Sequence, residues 1–241
     1  WTPLEGYEGV YYREVAENAE IKEFYVLEGN TVSYDAALEN TDMVDAEGNL
    51  KEGLALTFKA YAIQKQPFTS VEEAAAAAQV PTVAASSEEV TAAIKAGTPV
   101  VMTGDVEVTA ATLIDAGEAD IDLNGNELTV DGSTYVQVGD GETLTMNNGT
   151  VKMNLSGIGN NNPSIQLTEE SSLVLDNVDI DLGKGCIFIP DGIETASVDV
   201  TDSTITTDSY FGISTNASNQ ATGQGVVINV KGTDLNVDGI G

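Results

Sequence analysis

From residue 120 onward the sequence repeats one pattern of apolar strands and polar turns. The strands are centred on five short apolar segments, Ile121-Asp122-Leu123, Leu144-Thr145-Met146, Leu173-Val174-Leu175, Val198-Asp199-Val200 and Ile228-Asn229-Val230. Five residues after each segment comes another apolar residue, namely Leu128, Val151, Ile180, Ile205 and Leu235. Repeats of this kind indicate stacked coils, because each coil can bury its apolar side chains only against its neighbours.

The spacing of the segments predicts the shape of each coil. Aligning residues 123, 146, 175, 200 and 230 gives coils of 23, 29, 25 and 30 residues. Polar turns such as Asn124-Gly125 and Asp176-Asn177 fall inside the constant five-residue offset. We therefore expect a parallel β-helix with two strands at a fixed angle and a third strand on a variable side, at 136–138, 165–167, 187–189 and 211–214. A sandwich with evenly spaced hairpins is the alternative, but it does not explain the constant offset.

The start of the solenoid is marked by a short helix. Ser86-Ser87-Glu88-Glu89 is a capping box, and Gly97 supplies the residue that ends the helix. Such a helix can cover the open apolar end of the first coil. We therefore assign residues 81–241 to the β-helix, with this helix as its cap.

Residues 1–80 are predicted to form a separate segment of antiparallel β structure that ends in a helix. The alternation over 10–15 and 54–63 indicates strands. Ser70-Val71-Glu72-Glu73 is a second capping box and is followed by an alanine run. The whole chain is thus expected to be all-β apart from short helices.

Two resemblances refine this picture. The coil sequences Ile121-Asp122-Leu123-Asn124-Gly125-Asn126 and Met146-Asn147-Asn148-Gly149-Thr150-Val151 resemble those of pectate-lyase-like right-handed parallel β-helix proteins, over about residues 86–241. That resemblance implies a right-handed solenoid but no catalytic signature.

The front segment, over residues 8–78, resembles the C-terminal half of the TasA/camelysin family of exported matrix-fibre proteins. The similar stretches are Gly9-Val10-Tyr11-Tyr12-Arg13-Glu14-Val15, Gly29-Asn30-Thr31-Val32, residues 56–64 and Ser70-Val71-Glu72-Glu73-Ala74. This implies a partial jelly-roll β-sandwich whose early strands are missing, so we expect either that the chain is a fragment, which we favour, or that partner strands complete the sheet. The zinc protease activity linked to that family needs a histidine-containing motif, and this sequence has no histidine.

Charge restricts the partners. The chain has 39 acidic and 9 basic residues and a formal net charge of −30. Nucleic acid is therefore an improbable partner, because phosphate binding needs clustered Lys and Arg.

No apolar run approaches the roughly 20 residues that span a bilayer, and the start at Trp1 indicates a processed or excised piece. We expect a secreted protein at a bacterial cell surface.

A catalytic site is expected only if the protein is a polysaccharide lyase or a glycoside hydrolase. Enzymes of the β-helix class use a basic residue beside calcium-bound uronate, or paired carboxylates. If Val151 and Ile180 point inward, Lys152 stacks on Asp181, and Thr150 on Asp179, at roughly 4.8 Å. Asp179, Asp181 and Lys152 are then the candidates. The alternative is a solvated cross-strand ion pair on a generic polar face.

Calcium and glycans are two further candidate ligands. Asp120-x-Asp122-x-Asn124-Gly125 with Asp131 at the twelfth place matches a calcium loop, except that Asp replaces the final Glu. A wound calcium loop would, however, withdraw neighbouring apolar residues from the core. Tyr135, Tyr210 and Phe211 are candidates for stacking on sugar rings.

The function expected from these observations is structural or adhesive and non-catalytic. The chain would present an acidic β-helix at the cell surface or in a biofilm matrix, with a polysaccharide or another matrix protein as partner. A carbohydrate-binding module and a polysaccharide-degrading enzyme stay open as alternatives. The last coil, residues 235–241, carries no covering helix or charged strand, so we expect either that more coils follow in the full protein or that another molecule, such as a second copy, docks there.

Overall fold

The chain folds into a mostly β structure that contains a parallel-strand solenoid of about four turns, as expected. The structure is a computed structural model, and it describes residues 1–16, 20, 25–27, 31, 58–113, 118–159, 162–215 and 225–238. The strands are β1 Thr2–Pro3, β2 Tyr11–Tyr12, β3 Thr82–Ala84, β4 Val100–Met102, β5 Val106–Thr109, β6 Ala119–Asp122, β7 Glu127–Gly132, β8 Val136–Val138, β9 Thr143–Leu155, β10 Pro163–Leu167, β11 Ser171–Asp181, β12 Cys186–Ile189, β13 Thr195–Thr201, β14 Thr204–Thr207, β15 Ile213–Thr215, β16 Gly225–Lys231 and β17 Asp234–Val237. The helices are α1 Val71–Ala77, α2 Ser87–Lys95 and α3 Ala110–Leu113.

Three parallel sheets form the sides of the solenoid. Sheet A contains, in spatial order, β3, β4, β6, β9, β11, β13 and β16. Sheet B contains β5, β7, β9, β11, β14 and β17, and sheet C contains β8, β10, β12 and β15. Because β9 and β11 continue through the corner between sheets A and B, they belong to both.

The pairing of the coils agrees with the sequence alignment in all but one place. Met146 pairs with Leu175, Leu175 with Val200, and Val200 with Val230. The alignment of Leu123 with Met146 is wrong, because Met146 pairs with Ile121. Two additional residues therefore lie in the corner between β6 and β7, where the chain passes from sheet A to sheet B.

The geometry of this corner explains the shift. Asn124 and Gly125 both have positive φ, at 52° and 84°, and together they make a wider turn. Leu123 is fully buried inside it, with its Cβ above Gly149 of the next coil. The later corners use a single left-handed residue, which is Asn148, Asn177, Asp202 or Gly232. Asn, Asp and Gly occupy this conformation more readily than other residues.

The interior of the solenoid is a continuous apolar core of stacked rows. Each row contains the corresponding inward residue of successive coils. The row of sheet A is Ile121, Met146, Leu175 and Val200, and that of sheet B is Leu128, Val151, Ile180 and Ile205, all at most 2% exposed. Burial of this kind contributes about 1.5–3 kcal/mol for each large aliphatic side chain.

The helix predicted to cap the first coil is confirmed. Ser86 Oγ accepts a hydrogen bond from Glu89 N at 3.3 Å, and Glu89 Oε2 accepts one from Ala85 N at 2.8 Å. Gly97, with φ of 63°, follows the end of α2. Val90 and Ile94 of α2 are buried in the same core as the coils, so the helix closes this end of the solenoid.

The front segment packs against the outer edge of β3. Leu4, Ala75 and Val80 form a small second core that joins residues 1–12 to α1. The Glu8 carbonyl accepts a hydrogen bond from Val83 N at 3.1 Å. The described antiparallel structure is the two-stranded sheet β1–β2. The domain boundary near residue 80 stays a prediction.

Part of the predicted antiparallel segment lies outside the described residues. The strand expected over 54–63 falls partly in the range 32–57, and its described residues, 58–63, are exposed and form no strand. No helix in the described part of the chain is long and apolar enough to cross a membrane.

Candidate functional site

The outer face of sheet B carries two rows of polar side chains that run across the coils. They are set there because residues on either side of each inward aliphatic residue point outward. One row is Glu127, Thr150, Asp179, Thr204 and Asp234. The other is Glu107, Thr129, Lys152, Asp181, Thr206 and Asn236. We call these two rows the sheet B face.

The register brings the predicted catalytic candidates together on this face. Asp179 pairs with Thr150, and Asp181 pairs with Lys152, as the alignment predicted. Asp179, Asp181 and Lys152 are all exposed. They border an open depression of about 230 Å³ that Glu127 and Thr204 also line.

The contacts of these groups are local. Asp181 Oδ1 accepts a hydrogen bond from Gly183 N at 2.8 Å, which fixes the turn after β11. Among the described residues the ion pairs within 4.0 Å are Lys59–Asp122 and Lys65–Glu14, so Lys152 does not form one with Asp181. This arrangement can offer carboxylate, hydroxyl and ammonium groups to a ligand that lies flat across several coils.

The calcium candidates are divided between two sheets. Asp120 and Asp122 lie on β6 of sheet A, Asn124 lies in the corner, and Asp131 lies on β7 of sheet B. Ile121, between the two sheet A carboxylates, is fully buried, as the sequence argument required. No group of three or more His, Cys, Asp or Glu suited to a metal occurs in the described ranges. Calcium binding stays a prediction.

Each sheet A carboxylate has protein partners. Asp122 Oδ2 lies 3.3 Å from Lys59 Nζ, and Asp122 Oδ1 accepts hydrogen bonds from Asn124 N and Asn148 Nδ2, both at 3.1 Å. Asp120 Oδ1 accepts one from Asn147 Nδ2 at 3.3 Å. Loss of hydration around the carboxyl group raises the pKa of Asp120, although the residue as a whole is exposed.

Asp131 interacts instead with a second carboxyl group. A side-chain hydrogen bond to Asp131 and the negative charge of that residue raise the pKa of Glu107. Glu107 belongs to the sheet B face, and Asp131 lies on the next outward position of β7. Sequence reasoning missed it, because Glu107 and Asp131 become neighbours only through the pairing of β5 with β7.

Two of the three aromatic candidates form a pair. Tyr210 and Phe211 are 46% and 50% exposed, and their rings meet edge to face with centroids 6.5 Å apart. They lie in the corner before β15, whereas Tyr135 lies in the corresponding corner before β8. Those strands are the two outer strands of sheet C, so Tyr135 is about 14 Å away along the solenoid axis.

Two other features were not foreseen. A chain of side-chain amides runs along the A–B corner, where Asn177 Nδ2 donates to Asn148 Oδ1 at 3.3 Å and Asn148 in turn donates to Asp122. The turn residues were visible in the sequence, but their stacking depends on the coil register. A second depression, of about 220 Å³, is lined by Gln79, Glu118 and Asp120.

Comparison with known proteins adds no relative, since no protein-family model, curated protein or solved structure matches the chain.

Proposed function

We propose that this chain is a non-catalytic structural or adhesive module of a bacterial cell surface or extracellular matrix, and that it presents the sheet B face to its partner. The observation that carries the proposal is the register of that face. Carboxylate, hydroxyl and amide groups recur coil after coil at roughly 4.8 Å, from Glu107 and Glu127 to Asp234 and Asn236. Such a surface suits an extended ligand.

The chemistry of the face favours a polysaccharide or a matrix protein as the ligand. Carboxylates and threonine hydroxyls accept hydrogen bonds from sugar hydroxyls, and carboxylates also bind divalent cations that can bridge two acidic polymers. The formal charge of −30 keeps unbridged molecules apart. Binding that strengthens when calcium is added is therefore expected.

The two resemblances support the same setting. The coil sequences are similar to those of pectate-lyase-like solenoids, and the front segment is similar to exported matrix-fibre proteins of the TasA/camelysin family. We propose both relationships on the motifs alone. Together they favour secretion and a place in a biofilm matrix.

The experiment that tests the proposal is a turnover assay. The purified chain is incubated with pectic, alginate-like and neutral polysaccharides, with and without calcium, and new reducing or unsaturated ends are measured. We expect none. Turnover that disappears in Asp179→Asn or Asp181→Asn, with folding retained, would replace the structural function by a degradative one.

A polysaccharide lyase or glycoside hydrolase is the second candidate. The pairing of Asp179 and Asp181 with Thr150 and Lys152 favours it, because two carboxylates and one ammonium group meet on one open face. In that mechanism one carboxylate would act as general acid or base. The exposure of all three groups favours binding over catalysis, since catalytic carboxyl groups are usually desolvated.

A carbohydrate-binding module is the third candidate, and the exposed pair Tyr210–Phe211 favours it. Aromatic rings with one free face can stack on the apolar face of a sugar. A Phe211→Ala variant that loses polysaccharide binding, while a sheet B face variant keeps it, would support this candidate over the first.

A further inference from the structure

One side of the solenoid carries no charged side chain in its described strands. The residues of β8, β10, β12 and β15, which form sheet C, include no Asp, Glu, Lys or Arg. The strands of sheets A and B, by contrast, present acidic groups such as Asp120, Asp122, Glu127 and Asp179. Sheet C is therefore a neutral surface on a chain whose formal net charge is −30.

The pairing of these strands places four outward residues in one row. Gln137 pairs with Gln166, Gln166 with Phe188, and Phe188 with Ser214. All four are partly exposed. The residues on either side of the first three point into the core and are at most 3% exposed, namely Val136, Val138, Ile165, Leu167, Ile187 and Ile189. We call Gln137, Gln166, Phe188 and Ser214 the sheet C row.

Phe188 gives the row an aromatic surface. The run Cys186-Ile187-Phe188-Ile189 shows no alternation of polar and apolar residues, so the sequence did not indicate that Phe188 points outward. The burial of Ile187 and Ile189 establishes this orientation, because successive side chains of a strand point to opposite faces. The outer part of the ring can stack on the apolar face of a sugar.

The two glutamine amides provide hydrogen-bonding groups that the fold does not use. In the described part of the chain, neither Gln137 nor Gln166 forms a side-chain hydrogen bond. The hydroxyl group of Ser164, on the same side of the solenoid, is by contrast committed, since it donates to the Leu182 carbonyl at 2.7 Å. A primary amide both donates and accepts hydrogen bonds, as a sugar hydroxyl group does. Each amide therefore suits the hydroxyl groups of a sugar.

The dimensions of the row favour a narrow, extended ligand. Four strands at roughly 4.8 Å spacing give a length of about 14 Å, and strands this short give a surface of about 200 Å². A protein partner needs about 800 Å² on each side, so it would have to extend over the carboxylates of sheets A and B. A single polysaccharide chain that runs along the solenoid axis fits within sheet C.

Charge decides which polysaccharide fits. A protein of net charge −30 repels an anionic chain, and the described strands of sheet C have no Lys or Arg to offset that repulsion. A cationic chain would find no carboxylate in the same strands. A neutral chain meets amides, a hydroxyl group and an aromatic ring, which are groups that orient uncharged ligands in binding sites.

We propose that the sheet C row binds a neutral, extended polysaccharide. Phe188 lies against one sugar ring, and the amides of Gln137 and Gln166 bind the hydroxyl groups of the sugars beside it. This site is separate from the sheet B face and does not depend on the function proposed for that face. It takes an uncharged ligand and needs no calcium. Because the row is open, we expect weak binding, with a dissociation constant of roughly 1 mM.

Affinity electrophoresis tests this site on the folded 241-residue chain. The protein migrates through native gels that contain a soluble β-glucan, xylan or galactomannan, with polygalacturonate as the acidic comparison. All gels contain EDTA, which removes calcium. Because the net charge of −30 drives migration, binding to an immobile polysaccharide slows the protein. We expect retardation by at least one neutral polysaccharide and none by polygalacturonate.

Two sets of variants assign the binding to the row. Phe188→Ala should raise the dissociation constant about tenfold, and the double variant Gln137→Ala, Gln166→Ala should raise it by a similar factor. None of these changes alters the net charge, so migration without polysaccharide stays the same. Val174→Ala is the matched control, because Val174 points outward on sheet A between two fully buried leucines. It should bind like the wild type, and circular dichroism checks the folding of every variant.

Several results would overturn the proposal. No retardation by any neutral polysaccharide, or retardation by polygalacturonate alone, would exclude a neutral ligand. Equal weakening by Val174→Ala and Phe188→Ala, or full binding by the double glutamine variant, would exclude the row. The variant Asp179→Asn, Asp181→Asn should keep the neutral polysaccharide; if it loses this ligand instead, the binding belongs to the sheet B face and not to sheet C.

Discussion

Gly149 lies directly against the corner between β6 and β7, where the pairing departs from the sequence alignment, and replacing it by alanine tests that geometry. A Cβ atom at this position would lie 2.6 Å from Leu123 Cβ and 2.7 Å from the Asn126 carbonyl oxygen. Both neighbours belong to the wide turn and cannot move independently. Gly149 does not have a positive φ, so the cost arises from the lack of space.

The expected loss of stability in Gly149→Ala is the difference between two opposing effects. Overpacking of this kind costs about 1–3 kcal/mol, and the lower entropy of alanine in the unfolded chain returns about 0.4–1 kcal/mol. We expect Gly149→Ala to lower the free energy of unfolding by about 1–2 kcal/mol. Gly104→Ala is the control, because no atom lies within 4 Å of the added Cβ, and it should be neutral or stabilising.

Urea unfolding followed by far-ultraviolet circular dichroism measures both variants under the same conditions. We expect the midpoint of Gly149→Ala to fall below wild type and that of Gly104→Ala to equal or exceed it. If Gly149→Ala is as stable as Gly104→Ala, Leu123 does not lie over Gly149, and the two-residue shift in the corner between β6 and β7 is wrong.

Three further predictions concern the corners, the helix cap and the thiol. Asn177 has a φ of 56°, so Asn177→Ala should lower the free energy of unfolding by about 1–2 kcal/mol and Asn177→Gly by much less. The same urea titration measures both variants, and equal losses would contradict the left-handed corner. Hydrogen bonds from Ala85 N and Ser86 hold the pKa of Glu89 below its usual value, so the cap is stabilising above the ordinary carboxyl pKa. That contribution is lost as the pH falls through the lowered pKa. The melting temperature of Glu89→Gln should therefore fall less steeply than that of the wild type between pH 6 and 3. Burial raises the pKa of Cys186 to about 11, so the native thiol should resist alkylation at pH 8 and react only after unfolding; rapid native labelling would contradict its burial.

Much of the fold could be predicted because each coil repeats the same local signals. The constant offset from Met146 to Val151, and from Leu175 to Ile180, reflects a corner with one left-handed residue. A pattern of this kind determines which residues point inward. It therefore also predicted the pairing of Lys152 with Asp181.

The departures arise where non-local contacts decide the structure. The sequence Asn124-Gly125 indicates a turn, but only contact with Gly149 shows that the turn holds two more residues. The pair Glu107–Asp131 likewise depends on strand pairing. At the candidate site, the sequence placed the side chains on one face but could not predict that Lys152 and Asp181 remain without an ion pair.

The most direct test of the proposed function is co-sedimentation of the chain with insoluble polysaccharide from bacterial cell surfaces, in the presence of calcium. The wild type is compared with a sheet B face variant that neutralises four carboxylates, Glu127→Gln, Asp179→Asn, Asp181→Asn and Asp234→Asn. The matched control neutralises four exposed carboxylates elsewhere, Glu5→Gln, Glu8→Gln, Glu20→Gln and Glu118→Gln. We expect the wild type and the control to bind, and the face variant to bind at least about tenfold more weakly, without cleavage of the polysaccharide. Equal binding by all three proteins, or release of soluble sugar by the wild type, would contradict a non-catalytic adhesive face.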